Sequence, residues 1–281
     1  MTINRITTLL VALVVLFCGP ILASRPASRP ILVLYAFEAE GETMAKLMAV
    51  TKHDTLLGRP VIEGTVVGQS IVLAESGEGM TNAAMTTQMM IDKFHPRAVL
   101  FTGIAGAIDT SIHVGDIVVP SVWIEHDYGY IGKDGFQPKG LEVRLPHADS
   151  ISHEDRFRAD ADLFADAQGI PQDSLALQLI DGRKPHLTVG GVGVTGNQFI
   201  DSEEKREWLS SRFRALVTDM ESAAVGQVCT VNDTPFLIFR SASDLAGGSG
   251  SSTARAEIKQ FFKVAAQNST AVVVKFLQSM N

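Results

Sequence analysis

Two kinds of apolar pattern alternate along this chain. Ile31-Leu32-Val33-Leu34-Tyr35-Ala36-Phe37 has no charged position, the mark of a strand covered on both faces. Arg97–Thr102, Val114–Pro120, His186–Val194 and Leu216–Thr218 read as further strands, and Phe236–Phe239 as the last inner one. Between them, helices are predicted over Glu42–Val50, Met80–Phe94, Glu203–Arg212 and Ser222–Cys229. Met85 and Met89 share one face of the second and read as core. Val61–Val67 and Ile71–Glu75 flank Gly68-Gln69-Ser70 as a hairpin. Thr253 is placed as the cap of a long terminal helix running towards Met280, with Glu257 in its first turn. Glu154–Gln168 reads as an acidic helix. From Tyr128 to about Ser152 the pattern dissolves, which predicts a surface insertion or a lid. Strands that alternate with helices, without repeats, predict an α/β fold: a three-layer α/β/α sandwich with a central mixed sheet. A single catalytic domain would span 31–281, with the chemistry in loops at strand ends.

The first stretch has a different character. Arg5 precedes an apolar run from Ile6 to Cys18 broken only by Thr7 and Thr8, then Gly19-Pro20 and Ile21-Leu22-Ala23. That is the layout of a signal peptide at 1–23, followed by a Pro-containing linker at 24–30. Export to the periplasm or outside the cell is expected. The run is shorter than the roughly 20 residues a membrane span needs, so no stable span is expected once the signal is removed. Cys18 falls inside that signal, which leaves Cys229 alone and excludes an internal disulfide. Hydrophobic residues make up 46% of the 281, and charged residues 20%; that balance marks a globular chain rather than a disordered one. A net charge of −7 and no dense Lys/Arg run argue against a nucleic-acid partner. No metal is expected: His53, His147 and His186 lack ligand spacing. Asp160, Asp162 and Asp166 lack a calcium-loop glycine and read as a solvated face. His126, which could reach the site from a loop, reads as a structural histidine.

Candidate chemistry sits at the ends of strands. Glu221, in Thr218-Asp219-Met220-Glu221-Ser222, opens a helical run, and Asp244, in Arg240-Ser241-Ala242-Ser243-Asp244, follows a buried strand. Desolvation at such a place raises a carboxyl's affinity for its proton, which suits it to act as an acid near neutral pH. Two carboxyls in different environments are what cleavage of a glycosidic bond requires. Glu40, in Phe37-Glu38-Ala39-Glu40, could orient water at the sheet's rim or sit in a solvated helix N-terminus. Glu75-Ser76-Gly77-Glu78-Gly79 could cradle an anion or be a tight turn. In Thr102-Gly103-Ile104-Ala105-Gly106-Ala107, read as a strand end with a turn, small residues leave room for a ligand beside Ile104 and Gly106. Phe199, in Gly196-Asn197-Gln198-Phe199-Ile200, could stack on a flat ring or be core.

These segments, in this order and spacing, resemble the nucleoside phosphorylase and nucleosidase superfamily from Ile31 to the C-terminus. The closest resemblance is to the 5′-methylthioadenosine/S-adenosylhomocysteine nucleosidase branch. It implies that Asp244 protonates N7 of a purine, that Glu221 with Met220 holds the ribose hydroxyls, and that Glu40 positions and deprotonates the attacking water. Phe199 would stack on the base, the backbone at Gln198 and Ile200 would bond its edge, and Arg240 would support the site beside a carboxylate. The implied partner is a small purine nucleoside, with no cofactor, in a homodimer.

The chain departs from the family at several positions. Phe101 stands where phosphorolytic relatives carry an Arg that grips phosphate. A phenyl ring cannot supply charged hydrogen bonds, so water is expected as the nucleophile. Ile104, Asn197 and Gly247 replace the family's usual Ser or Thr, Asp, and Asp. The alternatives are a phosphorylase that uses inorganic phosphate and a non-catalytic, storage-type nucleoside binder.

Overall fold

The computed structural model describes residues 29–146, 148, 150–248 and 252–280. The expected signal peptide and residues 24–28 of the expected linker lie outside the described residues. The chain begins β1 (Ile31–Tyr35), α1 (Glu38–Leu47), β2 (Ala49–Leu56), β3 (Arg59–Val66) and β4 (Gln69–Glu75). Next come α2 (Met80–Phe94), β5 (Ala98–Ala107), β6 (Ile117–Val119) and β7 (Val122–Glu125). Two small antiparallel pairs follow, β8 (Gly129–Gly132) with β9 (Gly135–Pro138), and β10 (Leu141–Val143) with β11 (Ser152–Glu154). After β12 (Phe157–Arg158), α3 (Ala161–Gln168) and a short 3-10 turn come β13 (Leu187–Val189) and β14 (Val192–Thr195). The chain closes with α4 (Glu203–Phe213), β15 (Ala215–Asp219), α5 (Ser222–Val231), β16 (Phe236–Asp244) and α6 (Ala254–Ser279).

One mixed sheet carries the fold. Its main path is β12-β7-β14-β15-β5-β1-β4-β3-β2, and β16 joins through β5 and β6. β1, β4, β5 and β16 run parallel, whereas β15 meets β5 antiparallel. Alternation explains why β1 is apolar throughout. Leu32 and Leu34 pack with α2 and α5 residues such as Met90 and Val225. Ile31 and Val33 pack on the other face with Met44 of α1 and Phe276 of α6. Helices therefore cover both faces, and the predicted three-layer sandwich with a mixed sheet is observed. No helix among the described residues is long and apolar enough to cross a membrane.

Several boundaries differ from the sequence reading. The first helix starts at Glu38 and ends at Leu47, and the stretch beyond it is β2, an almost wholly exposed edge strand. Residues 103–107 form no turn: β5 runs straight through them, with Gly103 paired to Arg240 and Gly106 to Asp244. The predicted strand over His186–Val194 is split at Gly190-Gly191, where both φ angles are positive. The predicted acidic helix is short because Asp160 caps it, accepting from the Asp162 and Leu163 amides at 3.1 and 3.0 Å. Asp160 is thus a cap rather than part of a solvated face. Met85 is exposed rather than core. The 128–152 region folds into hairpins whose β8 edge is exposed.

Candidate active site

β1, β5, β15 and β16 all end around one cavity of about 200 Å3. Its wall includes Glu40, Ile104, Gly106, Met220, Glu221 and Asp244, and its mouth carries Gln198, Phe199 and Ile200. Nine of the ten residues singled out from the sequence therefore share one space. The tenth, Arg240, is fully buried beneath it. Phe199 is 45% exposed, which fits a ring free to cover a ligand better than a core phenylalanine.

One end of the cavity is built around Asp244, the last residue of β16. Its Oδ1 accepts the Ala246 amide at 2.8 Å, and its Oδ2 accepts the Ser243 hydroxyl at 2.8 Å. Burial raises its pKa to about 6; the two hydrogen bonds oppose that, and the nearby Glu257 and Asp201 carboxylates add to it. The space opposite is tight: a Cβ on Gly106 would stand 3.0 Å from Asp244 Oδ1 and from the Ala246 Cβ, so either would have to give by a few tenths of an ångström.

The other end is an ionic cluster. The Arg240 Nε lies 2.7 Å from Asp219 Oδ2, and its terminal nitrogens lie 3.5 Å from Glu221 Oε2 and 3.8 Å from Glu40 Oε1. The guanidinium also stacks 4.0 Å from the centre of the Phe101 ring. A buried cation has to be paired in this way, because an isolated one is prohibitively desolvated. Glu40 is gripped by backbone: Oε1 accepts the Ile104 amide at 2.8 Å and Oε2 the Ala36 amide at 2.6 Å. Burial still raises its proton affinity, against the pull of Arg240 and those amides. Glu221 is likewise raised by burial, opposed by Arg240 and by the Gly79 amide, which donates to its Oε1 at 2.8 Å. The Gly77–Gly79 turn, with φ of 79° and 86° at its two glycines, thus serves a carboxylate rather than cradling phosphate. Gly103 is required here, since any Cβ would run into the Arg240 guanidinium and the Glu40 carboxylate.

Sequence reasoning gave Asp219 no role, yet it makes the shortest ion pair with Arg240. Its Oδ1 also accepts the Thr195 hydroxyl at 2.6 Å, and its Oδ2 accepts the Ser222 hydroxyl. The available signal was Arg240 itself, an arginine inside a buried strand that must find a carboxylate. Asn197 does not line the cavity; its side chain accepts the Met80 amide at 3.0 Å and ties two loops together. His126, expected as a hydrogen-bonded structural histidine, is buried outside the cavity lining, and neither ring nitrogen has a hydrogen-bond partner among the described residues.

Fold and site define a class, an α/β protein with a cavity of about 200 Å3 between a buried aspartate and a cluster of carboxylates around a buried arginine. The model of the phosphorylase superfamily matches residues 30–278, and the chain belongs to that superfamily. A 5′-methylthioadenosine/S-adenosylhomocysteine nucleosidase of Marinomonas sp. (strain MWYL1) is 30% identical over 244 residues, 86% of this chain and 96% of the relative. The solved Neisseria meningitidis nucleosidase of the same name, in complex with methylthio-immucillin-A, is 28% identical with a TM-score of 0.72, covering 89% of this chain and 99% of that one. Futalosine hydrolase of Helicobacter pylori strain 26695 is also 28% identical, with a TM-score of 0.71 over 90% of this chain and 97% of its own. Nucleosidases are N-glycosyl hydrolases, and the chain is an enzyme of that class.

Proposed function

We propose that this enzyme hydrolyses the N-glycosidic bond of a purine nucleoside, with acid-assisted departure of the base and water as the nucleophile. One observation carries the reading: a buried aspartate, whose burial tightens its hold on a proton, and two backbone-gripped glutamates line a single cavity. As the bond breaks, the base gains electron density and the sugar becomes electron-poor. Asp244 would donate its proton to N7 of the base. Glu221 would hold the ribose hydroxyls, and Glu40 would orient the water and take up its proton. Such groups act because they bind the separated charges of the transition state more strongly than the neutral substrate. Phe101 supports water over phosphate, because its ring packs against Arg240 and offers no donor to an anion. The apolar wall formed by Phe37, Ile104 and Ile258 favours an uncharged 5′ substituent, such as the methylthio group.

The test is a panel of methylthioadenosine, S-adenosylhomocysteine, futalosine, adenosine and inosine, run with and without inorganic phosphate. Free base and free sugar should form at a rate that phosphate does not change. Appearance of sugar 1-phosphate would make the enzyme a phosphorylase. Binding of a nucleoside without base release, with Asp244→Asn binding equally well, would make it a storage-type relative.

A further inference from the structure

The turn that follows Asp244 is held from outside the cavity. Ala246, whose amide bonds Asp244 Oδ1 at 2.8 Å, sits at φ 48° while fully buried. A non-glycine residue in that left-handed region is strained by about 1–2 kcal/mol and persists only where its surroundings impose it. The tether is Glu257, in the first turn of α6. Its side chain is almost fully buried, and its Oε2 accepts the Leu245 amide at 2.9 Å. Arg206 of α4 grips the same segment, donating to the Leu245 carbonyl at 3.0 Å.

We propose that Glu257 is a positioning residue for Asp244: it locks the 245–246 turn that aims the Ala246 amide, and its carboxylate beside that turn disfavours a negative charge on the aspartate. The proposal rests on reading Asp244 as the acid. Two features of the site support it. A carboxylate held one residue from an acid disfavours a second negative charge there. The charged groups around Asp244 are Glu257 of α6, Asp201 of the loop before α4, and Arg206 of α4. Asp201 is exposed, with its charge screened by solvent, and its Oδ1 is engaged by the Ala254 amide at 2.8 Å. Arg206 meets the Leu245 and Gly248 carbonyls and pairs with the Glu203 carboxylate at 3.6 Å rather than with the aspartate. Glu257 is therefore the buried charge that acts on Asp244 from this side.

The experiment compares the pH profile of kcat/KM for base release by the wild type, Glu257→Gln and Glu257→Asp. That quantity reports groups of the free enzyme, and an acid that must be protonated makes it fall as pH rises. Glutamine keeps an acceptor for the Leu245 amide but removes the charge, so the alkaline limb should move to lower pH by about one to two units, the worth of a like charge roughly 6–12 Å away at an effective dielectric near 20. Glu257→Asp keeps the charge on a shorter arm: its limb should stay near that of the wild type while kcat falls. A Glu257→Gln profile that superimposes on the wild type overturns the proposal, as does a limb moved equally far by Glu257→Asp. Should the glutamine variant not fold, a Glu257→Asp enzyme that matches the wild type in kcat, or whose alkaline limb moves to lower pH, overturns the proposal. Failure of the wild type to release base from any nucleoside would instead refute the hydrolase reading.

Discussion

Asp244→Asn should make the enzyme more stable at neutral pH while removing most of its activity. Burial moves this carboxyl from an ordinary 3.8 to about 6. The gap is about two pH units, each worth about 1.4 kcal/mol, so ionising it inside the fold costs about 3 kcal/mol. The sign follows from linkage. A carboxyl whose proton is held more tightly in the folded state supports folding below its unfolded value, and that support is lost as pH rises from 3.8 through 6. At pH 7.5 the wild type therefore carries the full cost, whereas an amide carries none. Asparagine also suits the hydrogen bonds: its oxygen can accept the Ala246 amide, and its nitrogen can face a Ser243 hydroxyl that turns to accept. Urea unfolding at pH 4, 5, 6 and 7.5 is the assay. The variant should gain about 3 kcal/mol at pH 7.5, or about 6–12 °C in Tm for a domain of this size. The gain should shrink towards zero near pH 4. Turnover should fall about 10²–10⁴-fold, as loss of a general acid does. No gain at pH 7.5 would refute a buried, charge-penalised acid. A gain that persists at pH 4 would assign the effect to packing instead.

Three further outcomes follow from the other end of the cavity and its mouth. Gly103→Ala should destabilise the fold by about 1–3 kcal/mol through overpacking and lower kcat, because the new methyl displaces Arg240 and Glu40; urea melts and base release measure both effects. Arg240→Met orphans Glu40, Asp219 and Glu221 and should cost about 3–5 kcal/mol. That loss should be larger at pH 8 than at pH 5, where the stranded carboxyls take up protons, and equal losses in melts at the two pH values would argue against the cluster. Phe199→Ala should raise KM by about 2–10-fold, the worth of one aromatic stack, with kcat nearly unchanged in Michaelis curves.

The sequence disclosed the parts of the fold where one physical cause dominates. Ile31–Tyr35 could be read because a strand buried on both faces admits no polar residue, and Met80–Phe94 because its apolar positions recur at helical spacing. β2 escaped because an exposed edge strand has no apolar face to alternate. Gly103 and Gly106 looked like a turn because glycine weakens strands. Here they stay extended, since Arg240 and Asp244 fill the space their missing side chains leave. Glu40, Glu221 and Asp244 were legible through the resemblance, but what tunes them was not. The Asp219 pair with Arg240 and the Glu257 tether to Leu245 are contacts between distant elements, and no local spacing encodes them.

The uneven distances around Arg240 bear on how the proposed reaction gains its polarity. Asp219 sits 2.7 Å from the guanidinium and accepts from four other side-chain or backbone donors, so it is the most tightly held partner of the cation. Glu221 and Glu40 stand farther off, at 3.5 and 3.8 Å, and are steadied by the amides of Gly79, Ile104 and Ala36 rather than neutralised. Burial of this cluster in a dry site is the main reason both glutamates bind protons more tightly than usual, and for Glu221 the neighbouring Asp219 and Glu40 charges add to it. In the proposed reaction, a sugar that becomes cationic beside them would supply the missing positive charge at the moment the base leaves. Arg240 fully paired to all three carboxylates would abolish that advantage, and with no cation the cluster would protonate and fall silent. The intermediate arrangement, one tight pair and two loose ones, is what lets charge developing on the sugar be met by groups already in place.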